Sequence, residues 1–384
     1  MPGLTRASKM GKALKLFPVS LPALGVGIVC CMVLALLAGV SPFALFDAIR
    51  EGAWGGKDAA AATASKITPL LLNGLGVAMA YQADLLNIGC EGQMRLGALA
   101  AATFAIFAGG LPWGVLLPLT VLVGALVGAL WAFPAVWLKQ RRGIHEVIST
   151  LLMNYVAIYL ADYLVLGPLG DGTVVGRTVE IPSGAIWPVF WHFGRTGITA
   201  APVVALLLCF LAGIWLMRTS WGFEARAAGS GAAAARAAGV PVDRWQRRMF
   251  ILSGAMAGLA GALETVAVHH RFYRAFSPGY GFDGITAAFL VNADPGWLWL
   301  SSLLLASLRS ADKWLQLSLG ISPAVVLVIQ AVLLLAAACR PDFRFLFARA
   351  FFKNALPEDG KENGENVAKA RLATLPPDRE GGSP

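Results

Sequence analysis

Long runs without any charged residue or histidine alternate with short basic segments along the chain. The uncharged runs cover 16–46, 96–138, 196–217 and 314–339. A helix needs about 20 apolar residues to cross the ~30 Å hydrocarbon layer of a bilayer, so each run is long enough for a crossing. The run 96–138 is long enough for two, with the glycine- and proline-containing stretch 109–112 as the turn between them. The pattern therefore predicts membrane-spanning helices.

Composition favours a membrane bundle over a soluble domain. Hydrophobic residues make up 57% of the 384 residues and charged residues 14%, whereas ordinary soluble domains carry about 25% charged residues. We predict an all-α, polytopic integral membrane bundle of about eight to ten transmembrane helices, some of them interrupted. The transmembrane domain is expected over 16–339, between a short N-terminal segment, 1–15, and a C-terminal tail, 340–384.

Basic residues predict the orientation of this bundle. Segment 1–15 carries four bases and no acid, 139–142 carries three bases, and 218–248 carries six arginines. Short basic loops stay on the cytoplasmic side of a membrane, so both termini and both loops are expected there. The tail 340–384 mixes charges with glycine and proline and is expected to be largely disordered. Because these loops account for the net charge of +9, the charge does not indicate nucleic-acid binding.

Two apolar stretches are interrupted by polar residues and glycines. Residues 87–93 separate the apolar helices on either side, and 292–296 interrupt the segment 284–308. Non-helical backbone at membrane depth is tolerated where protein or a water-filled cavity covers it, and paired interruptions point to a transport path. The alternative is that each stretch is a plain turn between spans at the membrane surface.

The basic loop 218–248 contains two short helix-prone pieces. The first is 221–228 and the second is 232–238, which is closed by Gly239 with Pro241 just beyond it. The second piece is made almost entirely of alanine, so it has little apolar surface to bury in its own protein. Its short side chains would let the groove of another protein approach its backbone. The alternative is an ordinary solvated loop.

Five stretches of the chain resemble permease subunits of ATP-binding-cassette importers. The pair 223–229 (FEARAAG) and 234–240 (AARAAGV) resembles the ATPase-docking loop of permeases for simple sugars, nucleosides and branched-chain amino acids. Three more stretches resemble the nucleoside-type branch: 87–94 (NIGCEGQM), 145–155 (HEVISTLLMNY) and 276–285 (FSPGYGFDGI). The resemblance covers about 65–340, which is nearly the whole predicted membrane part.

The resemblance implies an importer subunit of the bacterial cytoplasmic (inner) membrane. Its expected partners are a cytoplasmic ATPase subunit, a second permease subunit, an extracytoplasmic substrate-binding protein and membrane lipids. ATP and magnesium would be bound by the ATPase partner, because the nearest phosphate-loop match here, 55–58, lacks the hydroxyl that holds magnesium. The expected solute is a nucleoside or a simple sugar. A secondary transporter or channel is the alternative, but it would not need a docking loop.

The candidate site residues follow from the cost of polar groups inside a membrane and from the resemblance. Metal ligands and catalytic residues are not expected. The expected substrate path comprises Asn73, Asn87, Glu91, Gln93, Asn154, Phe276, Tyr280, Phe282, Asp283 and Asn292. The resemblance assigns ATPase docking to Phe223, Glu224, Arg226, Gly229, Arg236, Ala237, Ala238 and Gly239.

Three acids in the apolar segments are open to structural interpretations. Glu146 and Glu264 are further candidates for the path. The alternative for Glu264 is a structural contact with an arginine or a backbone amide near the outer surface. Glu91 is expected to bond the amide groups freed at the break beside its own helix.

Overall fold

A computed structural model describes residues 21–37, 39–193, 196–322 and 324–339. The predicted N-terminal segment 1–15 and tail 340–384 lie outside these residues. The described residues form thirteen α-helices and one two-stranded sheet. The helices are α1 Leu21–Leu37, α2 Pro42–Trp54, α3 Lys57–Gln82, α4 Cys90–Phe107, α5 Trp113–Arg142, α6 Glu146–Leu166, α7 Ala201–Arg218, α8 Ser220–Ser230, α9 Ala232–Ala237, α10 Val242–Glu264, α11 Tyr280–Leu290, α12 Leu298–Leu319 and α13 Ala324–Cys339. A π-helical turn, Thr265–His269, extends α10.

The turn at 109–112 and the interruption at 292–296 are confirmed, and the interruption predicted at 87–93 lies slightly earlier. Helix α4 ends at Phe107 and α5 begins at Trp113. Residues 83–89 separate α3 from α4, and 291–297 separate α11 from α12. In the second interruption Asn292 and Ala293 both have positive φ, at 55° and 56°, so the chain cannot continue as a helix there.

Two of the uncharged runs are not single helices. In the first, α1 ends at Leu37 and α2 leaves at an angle of 111°, because Gly39 has a φ of +70° and Ser41 caps a new helix. In the last, α12 continues to Leu319, and Gly320, with a φ of +64°, ends it before α13 begins. Length without charge therefore does not show that a run is one helix, since a charge-free run does not report the glycines that turn it.

Four helices are long and apolar enough to cross a membrane, or five if α1 and α2 form one bent span, counting only the described residues. The four are α5, α6, α7 and α10 with its π turn. The other helices counted in the predicted eight to ten passes carry polar groups or are shorter, so that number stays a prediction. The all-α membrane bundle itself is confirmed.

The centre of the bundle is α10, which packs against α3, α4 and α5. Helices α4, α5 and α10 meet at glycines. A Cβ on Gly97 would lie 2.5 Å from Gly258 Cα, and one on Gly254 would lie 2.6 Å from Gly128 O. A Cβ on Gly258 would overlap Gly124 O. Helices in membranes associate through such small residues because no hydrophobic effect drives them together in lipid.

The segment between α6 and α7 is the longest connection between the spans. It contains the antiparallel strands β1 Val189–Phe193 and β2 Thr196–Thr199, and an isolated bridge joins Arg177 to Tyr273. Hydrogen bonds from Thr173, whose hydroxyl lies 2.5 Å from Asp171, and the nearby Arg177 guanidinium lower the pKa of the Asp171 carboxyl to about 2. This carboxylate therefore stays ionised at any physiological pH and keeps its contacts.

Candidate functional site

A closed set of hydrogen bonds holds the interruption between α3 and α4. Asn87 Nδ2 donates to Gln93 Oε1 at 2.8 Å and to Ser253 Oγ of α10 at 2.9 Å. Asn87 Oδ1 accepts from the backbone N–H of Gly89 at 2.9 Å and from Gln93 Nε2 at 3.2 Å. All three side chains are buried. These amides therefore satisfy one another inside the subunit, and Ser253 is a member that the sequence analysis missed.

Asn154 of α6 ties the same interruption to a neighbouring span. Its Oδ1 accepts from Gly92 N at 2.9 Å and its Nδ2 donates to Ile88 O at 2.8 Å. Asn154 is 1% exposed. Its side chain replaces water for Gly92 N, which helix geometry leaves unpaired at the start of α4, and for Ile88 O just before that helix. Asn154 thus joins α6 to the start of α4.

Replacing Asn154 by leucine, whose side chain has the same branching and the same number of heavy atoms, is expected to lower the thermal midpoint of the purified protein strongly. The change leaves Gly92 N and Ile88 O buried without partners, at a cost of about 1–3 kcal/mol each. Thermal unfolding in detergent measures the midpoint of each variant. Tyr155→Phe is the matched control, since Tyr155 is 56% exposed on the same helix. Equal midpoints for N154L and the wild type would show that these two hydrogen bonds of Asn154 do not stabilise the protein.

Glu91 joins the start of α4 to the start of α11. Its Oε2 accepts from Gly281 N at 2.9 Å and from Ser277 Oγ at 3.1 Å, while its Oε1 accepts from Arg95 Nε at 3.1 Å. The expectation that Glu91 bonds the amides of its own helix start was wrong: α11 begins beside it, and the carboxylate offsets the positive end of that helix. Arg95 also donates to Ser277 O at 2.9 Å.

A buried ion pair fixes α11 against α12. Arg309 Nε donates to Asp283 Oδ2 at 2.7 Å, and each side chain is 7% exposed. Arg309 also donates to Pro278 O at 3.3 Å. The sequence analysis selected Asp283 but missed Arg309, although an arginine within an apolar helix signals a buried acidic partner.

The other predicted path residues divide between the interior and the surface. Asn73 is buried and donates to Pro69 O at 2.8 Å. Phe276 is buried against Phe272, with the rings stacked at 5.2 Å, and Tyr280 is 6% exposed. Only Phe282, at 40% exposure, and Asn292 are exposed among the ten predicted path residues. The assignment of these ten residues to a path stays a prediction.

The remaining two acids lie at opposite ends of the bundle. Glu146 begins α6, pairs with Lys139 at 2.6 Å and accepts from Leu86 N at 3.4 Å. Glu264 ends α10, and its Oε1 lies 3.4 Å from His269 Nε2. The expected arginine or amide partner of Glu264 was wrong, because the π turn brings His269 to it instead. Within the described residues no cluster of three metal-ligating side chains occurs.

The predicted docking loop folds into α8 and α9. Several predicted docking residues make contacts within the chain. Glu224 accepts from Trp245 Nε1 at 2.7 Å, and Arg226 Nε donates to Leu216 O at 3.1 Å. Gly229 lies so close to the end of α3 that a Cβ on it would overlap Gln82 O. These contacts set the position of α8 on the bundle.

The exposed part of this loop is α9 with the residues beside it. Ala237, Ala238 and Gly239 are all exposed. Arg236 is also exposed and donates to Asp243 Oδ1 at 3.2 Å. Phe223 on α8 is 63% exposed. Trp221 on α8 is exposed to the same extent. The loop therefore presents small side chains and two large rings outward, on a base held by α8.

Comparison with known proteins identifies the family of this chain. The family described as branched-chain amino acid transport system, permease component, matches residues 59–338. The chain belongs to this family. It is a permease subunit of an ATP-binding-cassette transporter and a multi-pass membrane protein.

Individual relatives of the permease are similar over most of their length. The guanosine ABC transporter permease protein NupP of Bacillus subtilis is 31% identical over 352 residues, which are 90% of the permease and 100% of NupP. The nucleoside permease protein NupB of Lactococcus lactis is 25% identical over 91% of the permease and 98% of NupB. The glucose permease protein TsgB13 of Haloferax volcanii is 33% identical over 75% of the permease and 76% of TsgB13. No solved structure matches the permease.

Proposed function

We propose that this permease imports nucleosides. The observation that carries the proposal is the extent of the similarity: the guanosine and nucleoside permeases align with about nine-tenths of this chain and with almost all of their own length. A simple sugar is the second candidate, because the glucose permease has the higher identity, 33%, over a smaller share of the chain, 75%.

The permease works with three kinds of partner in this proposal. A cytoplasmic ATPase subunit binds ATP and magnesium and hydrolyses the ATP, a second permease subunit completes the path, and an extracytoplasmic binding protein delivers the solute. The exposed Ala237–Gly239 stretch supports the ATPase contact, because a surface of small side chains lets a groove of another protein reach the backbone. Both termini are cytoplasmic in this arrangement, and the membrane is the bacterial inner membrane.

The path itself runs between two permease subunits. Of the predicted path residues, Phe282 is the aromatic side chain with an accessible face, and the base of a nucleoside offers a flat surface that would stack on it. Asn87, Gln93 and Asn154 keep the interrupted helices in place behind this surface. Weak contacts are sufficient along the path, because the binding protein supplies the affinity for the solute.

Uptake by reconstituted vesicles tests the proposal. Vesicles that contain this chain, its ATPase, the second permease and the binding protein are expected to accumulate radiolabelled guanosine only when ATP and magnesium are supplied. Glucose in place of guanosine tests the second candidate.

Vesicles with this chain alone are the control and are expected to take up no solute. Uptake that continues without the ATPase would refute an ATP-driven permease and favour a secondary transporter. ATP-dependent uptake of glucose without guanosine would replace the nucleoside by a sugar.

A further inference from the structure

The end of α10 holds an acid that is incompletely bonded. Glu264 is the last residue of α10, directly before the π-helical turn Thr265–His269. Its side chain is 5% exposed, and its Oε2 has no hydrogen-bond partner among the described residues. A buried carboxylate oxygen without a donor costs free energy. π-Helical turns interrupt α-helices frequently at functional sites. Both features point to a missing hydrogen-bond donor.

Aromatic rings border this carboxylate on one side. The His269 ring lies 5.0 Å from the Tyr273 ring and 5.2 Å from the Phe276 ring, edge-on in both cases. The Tyr273 hydroxyl lies 3.3 Å from His269 Nε2. His269 keeps 24% of its side chain exposed, and Tyr273 is half-buried, whereas Phe276 is fully buried. His269 and Tyr273 therefore form an accessible aromatic wall beside Glu264.

Lys66 is the basic side chain of α3 that interacts electrostatically with Glu264. Its ammonium group donates instead to Arg309 O at 2.9 Å and to Ser310 Oγ at 3.2 Å. Among the described residues Lys66 makes no direct bond to Glu264, so it does not supply the donor that Oε2 lacks.

Both oxygens of Glu264 can accept further hydrogen bonds. Oε2 is buried without a donor among the described residues. The contact recorded for Oε1 is the 3.4 Å approach of His269 Nε2, which is longer than an ordinary hydrogen bond of 2.7–3.2 Å. A carboxylate accepts through both oxygens at once. A pair of adjacent ring hydroxyls matches this geometry, and the carbon face of such a ring packs well on aromatic rings such as His269 and Tyr273.

We propose that Glu264 recognises the solute by accepting hydrogen bonds from adjacent ring hydroxyls, with the solute ring held against His269 and Tyr273. This inference rests on the proposed function and specifies its chemistry. The hydroxyl pair is present both in the ribose of a nucleoside and in a simple sugar, so the site would recognise a group that both kinds of solute carry.

The test compares two solutes that differ only in these hydroxyls. Uptake of guanosine and of 2′,3′-dideoxyguanosine is measured in vesicles containing the complete transporter, with wild-type permease and with Glu264→Gln. The expected loss in kcat/KM for guanosine is about tenfold, typical of a lost hydrogen bond to a charged group. For the dideoxy solute the expected loss is less than about twofold. The binding protein is identical in both vesicles, so the ratio of the two losses reports the permease alone.

Controls separate recognition from folding. Glu51→Gln makes the same chemical change on α2, where Glu51 lies outside the site, and is expected to leave both rates unchanged. Co-purification of the ATPase with each variant shows whether the complex assembles. If E264Q fails to assemble, Glu264→Asp retains the charge but withdraws the carboxylate, and the same ratio of losses is measured with it.

The outcomes distinguish this inference from the proposed function. Equal losses for the two solutes, or no loss for either, would overturn recognition of hydroxyls by Glu264. A wild-type transporter that takes up glucose but no guanosine refutes only the nucleoside proposal, and the comparison then uses glucose and its deoxy analogues. A selective loss for the hydroxyl-bearing sugar would still support the inference.

Discussion

Replacing Gly258 by leucine is expected to prevent the bundle from assembling. Even the first side-chain atom would overlap Gly124 O of α5 and lie 2.8 Å from Gly128 Cα. Both obstacles are backbone atoms, which cannot move aside as a flexible side chain could. Overpacking a close-packed interior costs typically 1–3 kcal/mol and occasionally more, and we expect a loss of about 3 kcal/mol or more here. The yield of monodisperse protein on size-exclusion chromatography measures the effect.

The matched control is Gly114→Leu at the start of α5. A Cβ on Gly114 would meet no other atom within 4 Å, so the same change of residue is expected to leave yield and elution unchanged. Normal yield of G258L would show that α10 does not lie as close to α5 as the structure places it. Loss of both variants would assign the effect to leucine in a helix and not to the contact.

Replacing Ala238 by glutamate is expected to separate ATP hydrolysis from transport. Ala238 is exposed beside α9, so the protein itself should fold normally. In the proposed complex the new carboxylate would be buried against the ATPase without a partner, which costs roughly 2–5 kcal/mol. We expect ATP-dependent uptake to fall at least about tenfold, while the ATPase subunit retains its basal hydrolysis. Uptake and phosphate release are measured in the same vesicles.

Ala238 is a cleaner position for this test than Arg236. An acid at Arg236 would also break the pair with Asp243 and could disturb the fold of the loop. The control is Arg142→Glu, which places an acid at an exposed position at the end of α5, outside the docking loop. Uptake by A238E equal to that of the wild type would refute docking through α9, whereas an equal fall with R142E would indicate a general effect of charge.

Local signals account for the elements that the sequence predicts well. Glycine and proline at 109–112 end one helix and start the next. The polar stretch 292–296 lies within a real interruption, and 87–93 overlaps the end of another, 83–89. These features depend on neighbouring residues only. Runs without charge identify apolar helices equally well, but they miss a turn such as the one at Gly320, because glycine is compatible with an apolar run and becomes visible only through its φ of +64°.

Partners across the bundle were harder to predict than the residues themselves. Asn87, Glu91 and Asp283 were selected from the sequence alone, and the structure buries all three. Their partners Ser253, Gly281 and Arg309 lie 166, 190 and 26 residues away along the chain. No local pattern encodes such separations. For Glu264 the sequence suggested an arginine or a backbone amide as partner, whereas its neighbour is His269 and one of its oxygens has no partner among the described residues.

The sequence by itself determined that this protein is a helical membrane permease, because hydrophobic runs, basic loops and short motifs are properties of neighbouring residues. Only the tertiary structure decided what each buried polar group does. Asn154 joins α6 to the start of α4, since its amide bonds two backbone groups there. Glu264 lies beside the accessible aromatic wall, and its Oε2 has no partner among the described residues. The physical reason is that a polar group in a membrane takes its role from the donors and acceptors within about 3 Å of it, and folding brings those from distant parts of the chain.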